Sequence, residues 1–243
     1  GVSFVLGNKQ KNLIPQIINN GLRVVEYPFS PSSVIRDNFD HVPLKHFYGH
    51  TRAFLKIQDG CDSFCSYCVI PYARGEKRSL PAAKVLDALD ILVKNYHREI
   101  VLTGIHLGAY GQDLSPRTTL ENLLQEIICA NLPARIRLSS IEPREISDKL
   151  LRLISANRII CPHLHIPLQS GDDNILRLMN RNYDSSYYRS LINNIVASVE
   201  NICLGVDVMV GFPGEGEEEF KNTYQLLEDL PVSYLHVFPY LDR

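Results

Sequence analysis

From about residue 50 onward, short apolar runs alternate with stretches in which apolar residues recur every three or four positions. Six runs read as buried strands: Ala53 to Ile57, Ile100 to Thr103, Ile136 to Ser139, Leu164 to Leu168, Leu204 to Val210 and Tyr234 to Phe238. Between them, Val85, Leu86, Leu89, Leu92, Val93 and Tyr96 share one helical stripe. A second stripe, Leu120, Leu123, Leu124, Ile127 and Ile128, follows Thr118 and Glu121, which are spaced as a capping box. Tyr188, Leu191, Ile192, Ile195 and Val199 form a third, and Phe220, Tyr224 and Leu227 a fourth. Strand, helix and strand repeated in this way predict a parallel sheet with right-handed crossovers. Six such units make an α/β fold, a partial (β/α)6 barrel of TIM-like type, over residues 50–243.

The first 48 residues do not join this rhythm. Val2 to Leu6 and Val24 to Tyr27 read as strands, Leu13 to Ile18 as a helix, and residues 28–49, with three prolines, as a linker. Residues 1–27 are too few for a domain of their own.

Composition narrows the classes. With 45% hydrophobic and 21% charged residues in 243, the chain can bury a large core. No apolar run approaches the roughly 20 residues of a membrane span, and no signal peptide is visible. The net charge of −2 means that attraction to nucleic-acid phosphates needs a local basic patch. Three of the six cysteines fall within eight residues, while Cys129, Cys161 and Cys203 sit singly in apolar segments and read as small buried hydrophobes. That usage is unlike a secreted disulfide framework and predicts a reducing, cytoplasmic setting.

Cys61, Cys65 and Cys68 stand at Cys-x-x-x-Cys-x-x-Cys spacing directly after the first predicted strand. A loop there lies at the carboxyl end of a parallel barrel, where active sites gather, and folds three sulfurs around one metal centre. A structural zinc site ordinarily shows a fourth Cys or His at a recognisable spacing, and none is near. Three thiolates on a 4Fe-4S cubane leave one iron free to chelate S-adenosylmethionine. Zinc, or three unrelated buried cysteines, is the plainer alternative.

The triplet, Tyr67 before its third cysteine and the six-unit alternation resemble the radical S-adenosylmethionine (SAM) enzymes. Within them, the runs from Phe54 to Cys61 and from Cys68 to Gly75 resemble the methylthiotransferases, which insert sulfur into an unactivated C–H bond and methylate it. Three subfamilies act respectively on isopentenyladenosine in tRNA, on an aspartate of a ribosomal protein, and on threonylcarbamoyladenosine at position 37 of tRNA. The run from Thr103 to Gly111 is similar to the third. Two departures stand out: Gly216 occupies a position where the family has a helix-capping hydroxyl, and Leu241-Asp242 precede Arg243 where the family has Ser-x. The resemblance makes residues 1–27 a remnant of an amino-terminal domain, whose further cysteines hold a second 4Fe-4S cluster in full-length members. It also implies tRNA and a reducing electron donor as partners.

The resemblance puts Tyr67 beside the cluster and Thr103 and Gly104 against the methionyl part of SAM, a plain turn being the alternative for the last two. Ser139 and Glu142 after the third strand are candidate acceptors for SAM donors, and Gln169 for its ribose. Arg181 is a candidate partner for the methionyl carboxylate, the alternative being a solvated arginine. Gly211 begins the loop expected to border the adenine. His106 is a candidate substrate contact or an ordinary loop residue, and Arg74, Lys77 and Arg78 with Tyr72 form the compact basic cluster suited to RNA phosphates. His163, His165 and His236 lack ligand spacing and read as core or rim residues. No hydrolytic triad is visible. A non-catalytic iron-sulfur or zinc-binding interaction module is the alternative from another class.

Overall fold

The computed structural model describes residues 14–20, 39, 47 and 49–241. Helix α1 spans Ile14–Asn20, close to the predicted helix, while both predicted amino-terminal strands and most of the predicted linker lie outside the described residues. Next come strand β1 (Arg52–Lys56) and the two-residue strand β2 (Gln58–Asp59), then helix α2 (Ile70–Arg74) and strand β3 (Arg78–Ser79). Helix α3 (Ala82–Lys94), strand β4 (Glu99–Thr103), helix α4 (Leu120–Ala130) and strand β5 (Arg135–Leu138) follow. The second half runs through α5 (Asp148–Ala156), β6 (His163–His165), α6 (Asp173–Leu178), α7 (Ser185–Ser198), β7 (Cys203–Val210), α8 (Glu217–Asp229) and β8 (Tyr234–Pro239).

All six predicted strands are present, paired in parallel in the orders β1-β4-β5 and β6-β7-β8. Parallel bridges from Ile136 to Ile160 and from Ser140 to His165 join the two sets, giving the partial (β/α)6 barrel. Alternation decides which residues face which way. Ala53, Leu55, Ile100, Leu102, Ile136, Leu138, Leu164, Leu204, Val206 and Val208 are buried in one cluster with helix residues such as Val85, Leu89, Leu123 and Ile192. Each large member contributes about 1.5–3 kcal/mol by leaving water.

The structure corrects three details. The cap of α4 is Thr119, whose hydroxyl accepts from Asn122 N at 3.3 Å, not Thr118; Glu121 instead accepts from Ser147 Oγ at 2.7 Å and ties α4 to α5. Helix α5, absent from the sequence reading, fills the third crossover behind its own cap, Ser147. Of the three lone cysteines only Cys161 is buried; Cys203 is half-buried and Cys129 exposed, so the small-hydrophobe reading fails for Cys129. At Gly216, which has no hydroxyl to cap α8, Glu219 Oε2 accepts from the Gly216 N–H at 2.9 Å, and three glutamates occupy the first turn.

On the opposite, inward face of the strands, Glu99 accepts from Arg137 Nε at 2.7 Å and forms an ion pair with Arg52, whose Nε lies 2.8 Å away. The bond from Arg137 holds the Glu99 carboxyl below its ordinary 4.5. A depressed carboxylate contributes stability above its unfolded value, and the contribution is lost as pH falls through the folded one. The difference in melting temperature between the wild type and Glu99→Gln is therefore expected to narrow as pH falls from about 6 to about 3, read by thermal denaturation across a pH series.

Candidate active site

The cysteine loop is pinned at its base by a feature the sequence did not reveal. Strands β2 and β3 pair antiparallel, Gln58 opposite Ser79 and Asp59 opposite Arg78, and enclose residues 60–77. Gly60 adopts a φ of +79°, and a Cβ there would lie 2.0 Å from the Glu76 carbonyl oxygen, so no larger residue fits this close crossing. Gln58, fully buried, donates Nε2 to the Gly60 carbonyl at 2.8 Å and accepts from His106 N at 2.6 Å. Thus one side chain couples the cysteine loop to the loop after β4. The far side is held by the segment after α6: Ser66 N donates to Met179 O at 3.1 Å, and Asn180 Nδ2 to Phe64 O at 3.0 Å.

The three thiols stand at the carboxyl end of β1 and are all partly exposed and unpaired by disulfide. Arg181 Nη1 donates to Cys65 Sγ at 3.2 Å, Ser63 N to Cys61 Sγ at 3.4 Å, and His106 Nδ1 lies 3.5 Å from the same Cys61 sulfur. On its other side His106 Nε2 is 2.6 Å from Glu145 Oε1. Burial alone would lower this imidazole, but its bonds to Cys61 and Glu145 raise it to about 10. Burial pushes the Cys61 thiol up, and the bonds from His106 and Ser63 outweigh it, so the net shift is down. Cys68 goes the other way, raised by burial and by the neighbouring sulfurs of Cys65 and Cys61. Three sulfurs that sense one another, two of them met by N–H donors, are a soft, anionic donor set suited to an iron-sulfur centre.

The profile of the Radical SAM superfamily matches residues 55–227, a span that contains the triplet and most of the barrel. The chain belongs to the radical SAM superfamily. Across its whole length it is 41% identical to the threonylcarbamoyladenosine tRNA methylthiotransferase of Aquifex aeolicus, of which it covers 59%. It is 32% identical, again over its whole length, to the tRNA-2-methylthio-N(6)-dimethylallyladenosine synthase of Carboxydothermus hydrogenoformans, covering 55% of that protein. The chain thus spans little more than half the length of these curated relatives. Among solved structures, a radical S-adenosylmethionine methyltransferase from Kitasatospora setae superposes with a TM-score of 0.64 at 17% identity, covering 77% of this chain and 35% of the other. That likeness shows the fold. Radical SAM enzymes work with a 4Fe-4S cluster and S-adenosylmethionine.

In this radical SAM barrel the remaining predicted residues fall into three groups. Thr103, Gly104, Ser139, Glu142, Gln169 and Gly211 lie at or just beyond the carboxyl ends of β4 to β7. Ser139 Oγ is buried with no hydrogen-bond partner, while a Cβ on Gly104 would lie 2.9 Å from the Gln58 side chain, so this glycine admits Gln58. Arg181 and Glu142, read separately as SAM contacts, form an ion pair with each other; Arg181 also bonds Tyr183 Oη at 3.1 Å, and its side chain is 4% exposed, not solvated. Tyr67 packs edge-on to Phe212 at 6.4 Å, joining the cysteine loop to the loop begun by Gly211. The basic residues form the third group and are met by acids. Asp59 Oδ2 lies 2.9 Å from Lys56, 3.9 Å from Arg74 and 3.8 Å from Arg78, while Lys77 is 2.9 Å from Asp62. Lys56, Arg74 and Arg78 thus converge on one carboxylate.

Sequence reasoning missed Gln58, Glu145 and a polar cluster on the inward face of the barrel formed by His163, His165, Asp207, Tyr234 and His236. The period-two spacings of His163 with His165 and of Tyr234 with His236 were its only sequence signal. Among the described residues, no helix is long and apolar enough to cross a membrane.

Proposed function

We propose that residues 50–243 are the radical-generating core of a tRNA methylthiotransferase that converts N6-threonylcarbamoyladenosine to its 2-methylthio derivative, with residues 1–27 the remnant of a preceding domain. The observation that carries this reading is the cysteine triplet at the barrel mouth, in a chain 41% identical from end to end to a threonylcarbamoyladenosine tRNA methylthiotransferase. Identity to a dimethylallyladenosine synthase is lower, 32%.

Cys61, Cys65 and Cys68 hold the 4Fe-4S cluster. With S-adenosylmethionine and an electron from a cytoplasmic reductant, a cluster held there would supply the reductive radical chemistry needed to activate the C–H bond at carbon 2 of the adenosine. The chain's own residues hold and bias that site. Arg181 places a buried guanidinium on the Cys65 sulfur and offsets negative charge there. His106, held by Glu145 and, through its backbone N–H, by the Gln58 carbonyl, positions Cys61. Ser139, with its unpartnered hydroxyl, and Thr103, Gly104, Glu142, Gln169 and Gly211 line the strand ends and would contact SAM, and Tyr67 would stand beside the cluster. Arg74, Lys77 and Arg78 stand beside the mouth as the basic residues that would meet RNA phosphates. The other three cysteines are not placed to hold a second cluster, since Cys129 is exposed on α4, Cys161 is buried and Cys203 opens β7.

Mass spectrometry of tRNA nucleosides from cells lacking the gene tests the reading. The expected result is loss of 2-methylthio-threonylcarbamoyladenosine with accumulation of its unthiolated precursor, restored by the gene. Loss of the 2-methylthio-dimethylallyl nucleoside instead would transfer the assignment to that substrate, and an unchanged profile would overturn it.

A further inference from the structure

Two of the three cysteine sulfurs are met by side chains from outside their own loop, and in both cases that side chain is backed by a carboxylate. His106 Nδ1 lies 3.5 Å from Cys61 Sγ, and His106 Nε2 is 2.6 Å from Glu145 Oε1. Arg181 Nη1 donates to Cys65 Sγ at 3.2 Å, and Arg181 Nη2 is paired with Glu142. Both carboxylates come from one turn after β5, in which Glu145 N donates to Glu142 O at 2.9 Å. The same turn therefore stands behind two separate sulfurs.

The Cys61 arm is closely built. The His106 side chain is 10% exposed and that of Glu145 20%. Gln58 Oε1 accepts from the His106 backbone N–H at 2.6 Å while Gln58 Nε2 donates to the Gly60 carbonyl at 2.8 Å, so one side chain fixes the imidazole's loop against the residue before Cys61. Gly108 leaves room for the carboxylate, since a Cβ there would lie 2.1 Å from Glu145 Oε2. That oxygen is buried with no partner, so among the described residues the hydrogen bonding of this carboxylate rests on His106. A brace between two loops would need only the contact of His106 with Glu145. It would not need the other ring nitrogen to face the sulfur of a metal ligand.

We propose that His106, oriented by Glu145, is a positioning residue that donates an N–H···S bond to Cys61 and raises the reduction potential of the cluster held by the triplet. The inference rests on the cluster assigned above and names what sets its potential. A sulfur that ligates iron carries no proton, so a hydrogen between it and Nδ1 belongs to the imidazole, while Glu145 accepts from Nε2 and fixes the ring. Reduction adds one electron from the external reductant to the cluster and moves no proton. The added negative charge is shared with the ligating sulfurs, so an N–H···S bond is stronger in the reduced state and favours it, and hydrogen bonds to the sulfurs are among the levers that set such potentials.

The test is a reductive titration followed by electron paramagnetic resonance on the whole protein, reconstituted anaerobically and checked for iron. Wild type is compared with His106→Leu, which removes the donor, and with His106→Asn, which places an amide N–H near the position of Nδ1 without reaching Glu145. His106→Leu is expected to hold about four iron per chain and to shift the one-electron equilibrium about tenfold against reduction, a potential about 59 mV lower. His106→Asn should recover part of that shift, and His106→Ala replaces His106→Leu if the latter loses its iron. An unchanged potential without the donor, or equal shifts in His106→Leu and His106→Asn, overturns the inference and leaves the function standing. Iron lost from every His106 variant would make the residue a brace of the loop and also overturn the inference. A wild type that takes up no cluster overturns the function itself.

Discussion

Replacing any one of Cys61, Cys65 and Cys68 by Ala is expected to take the iron bound after anaerobic reconstitution from about four per chain to well under one, with loss of the broad visible absorbance. The loop explains why no single sulfur is dispensable. Its base is fixed by the β2–β3 pair and by Gly60, and its far side by bonds to Met179 and Asn180, so no other cysteine can swing in. Cys129, exposed on α4, provides the contrast, and Cys129→Ser should retain its iron. Iron and absorbance titrations on the four variants read the outcome directly. Iron kept by all three triplet variants would show that the sulfurs do not share one centre.

The second large effect concerns stability. Arg181 and Glu142 are an unequal pair, the guanidinium side chain 4% exposed and the carboxylate 31%. Removing the carboxylate strands a buried charge that keeps only the Tyr183 hydroxyl and the Cys65 sulfur as hydrogen-bond partners among the described contacts. Removing the guanidinium leaves a carboxylate that water can reach. Glu142→Ala in the metal-free protein is therefore expected to cost about 3 kcal/mol, the lower end for breaking a buried pair. In a chain of this size that lowers Tm by about 6–12 °C. Arg181→Met should cost about half as much, and the double variant Glu142→Met with Arg181→Met should be more stable than Glu142→Ala. Thermal denaturation settles the order. Arg181→Met as the more damaging change would contradict the burial argument.

Much of the fold was legible because period-two and helical patterns report which side chains must leave water. All six strands and four of the crossover helices follow from residues such as Leu102, Ile136 and Val206, whose burial the alternation dictates. Helix α5 was missed although Leu150, Leu151 and Ile154 lie on one face behind Ser147, a signal that a nine-residue helix shows only weakly. The β2–β3 pair was invisible because two residues carry no period. Within the site, the cysteines were legible from spacing alone. The pairing of Arg181 with Glu142, the clamp by Gln58 and the polar cluster from His163 to His236 join residues 39 to 73 positions apart, and only the folded partial barrel brings them together. Chemistry written as local spacing reads out of a sequence, whereas chemistry written across strands needs the fold.

The central claim is that the triplet at the barrel mouth equips this chain to cleave S-adenosylmethionine reductively. The most direct measurement is 5'-deoxyadenosine formed by the reconstituted, reduced protein incubated with S-adenosylmethionine under anaerobic conditions, set beside its iron content. The predicted result is slow formation of 5'-deoxyadenosine with an equal amount of methionine, absent from each triplet variant. A protein loaded with about four iron per chain that binds S-adenosylmethionine and yields no 5'-deoxyadenosine would contradict it.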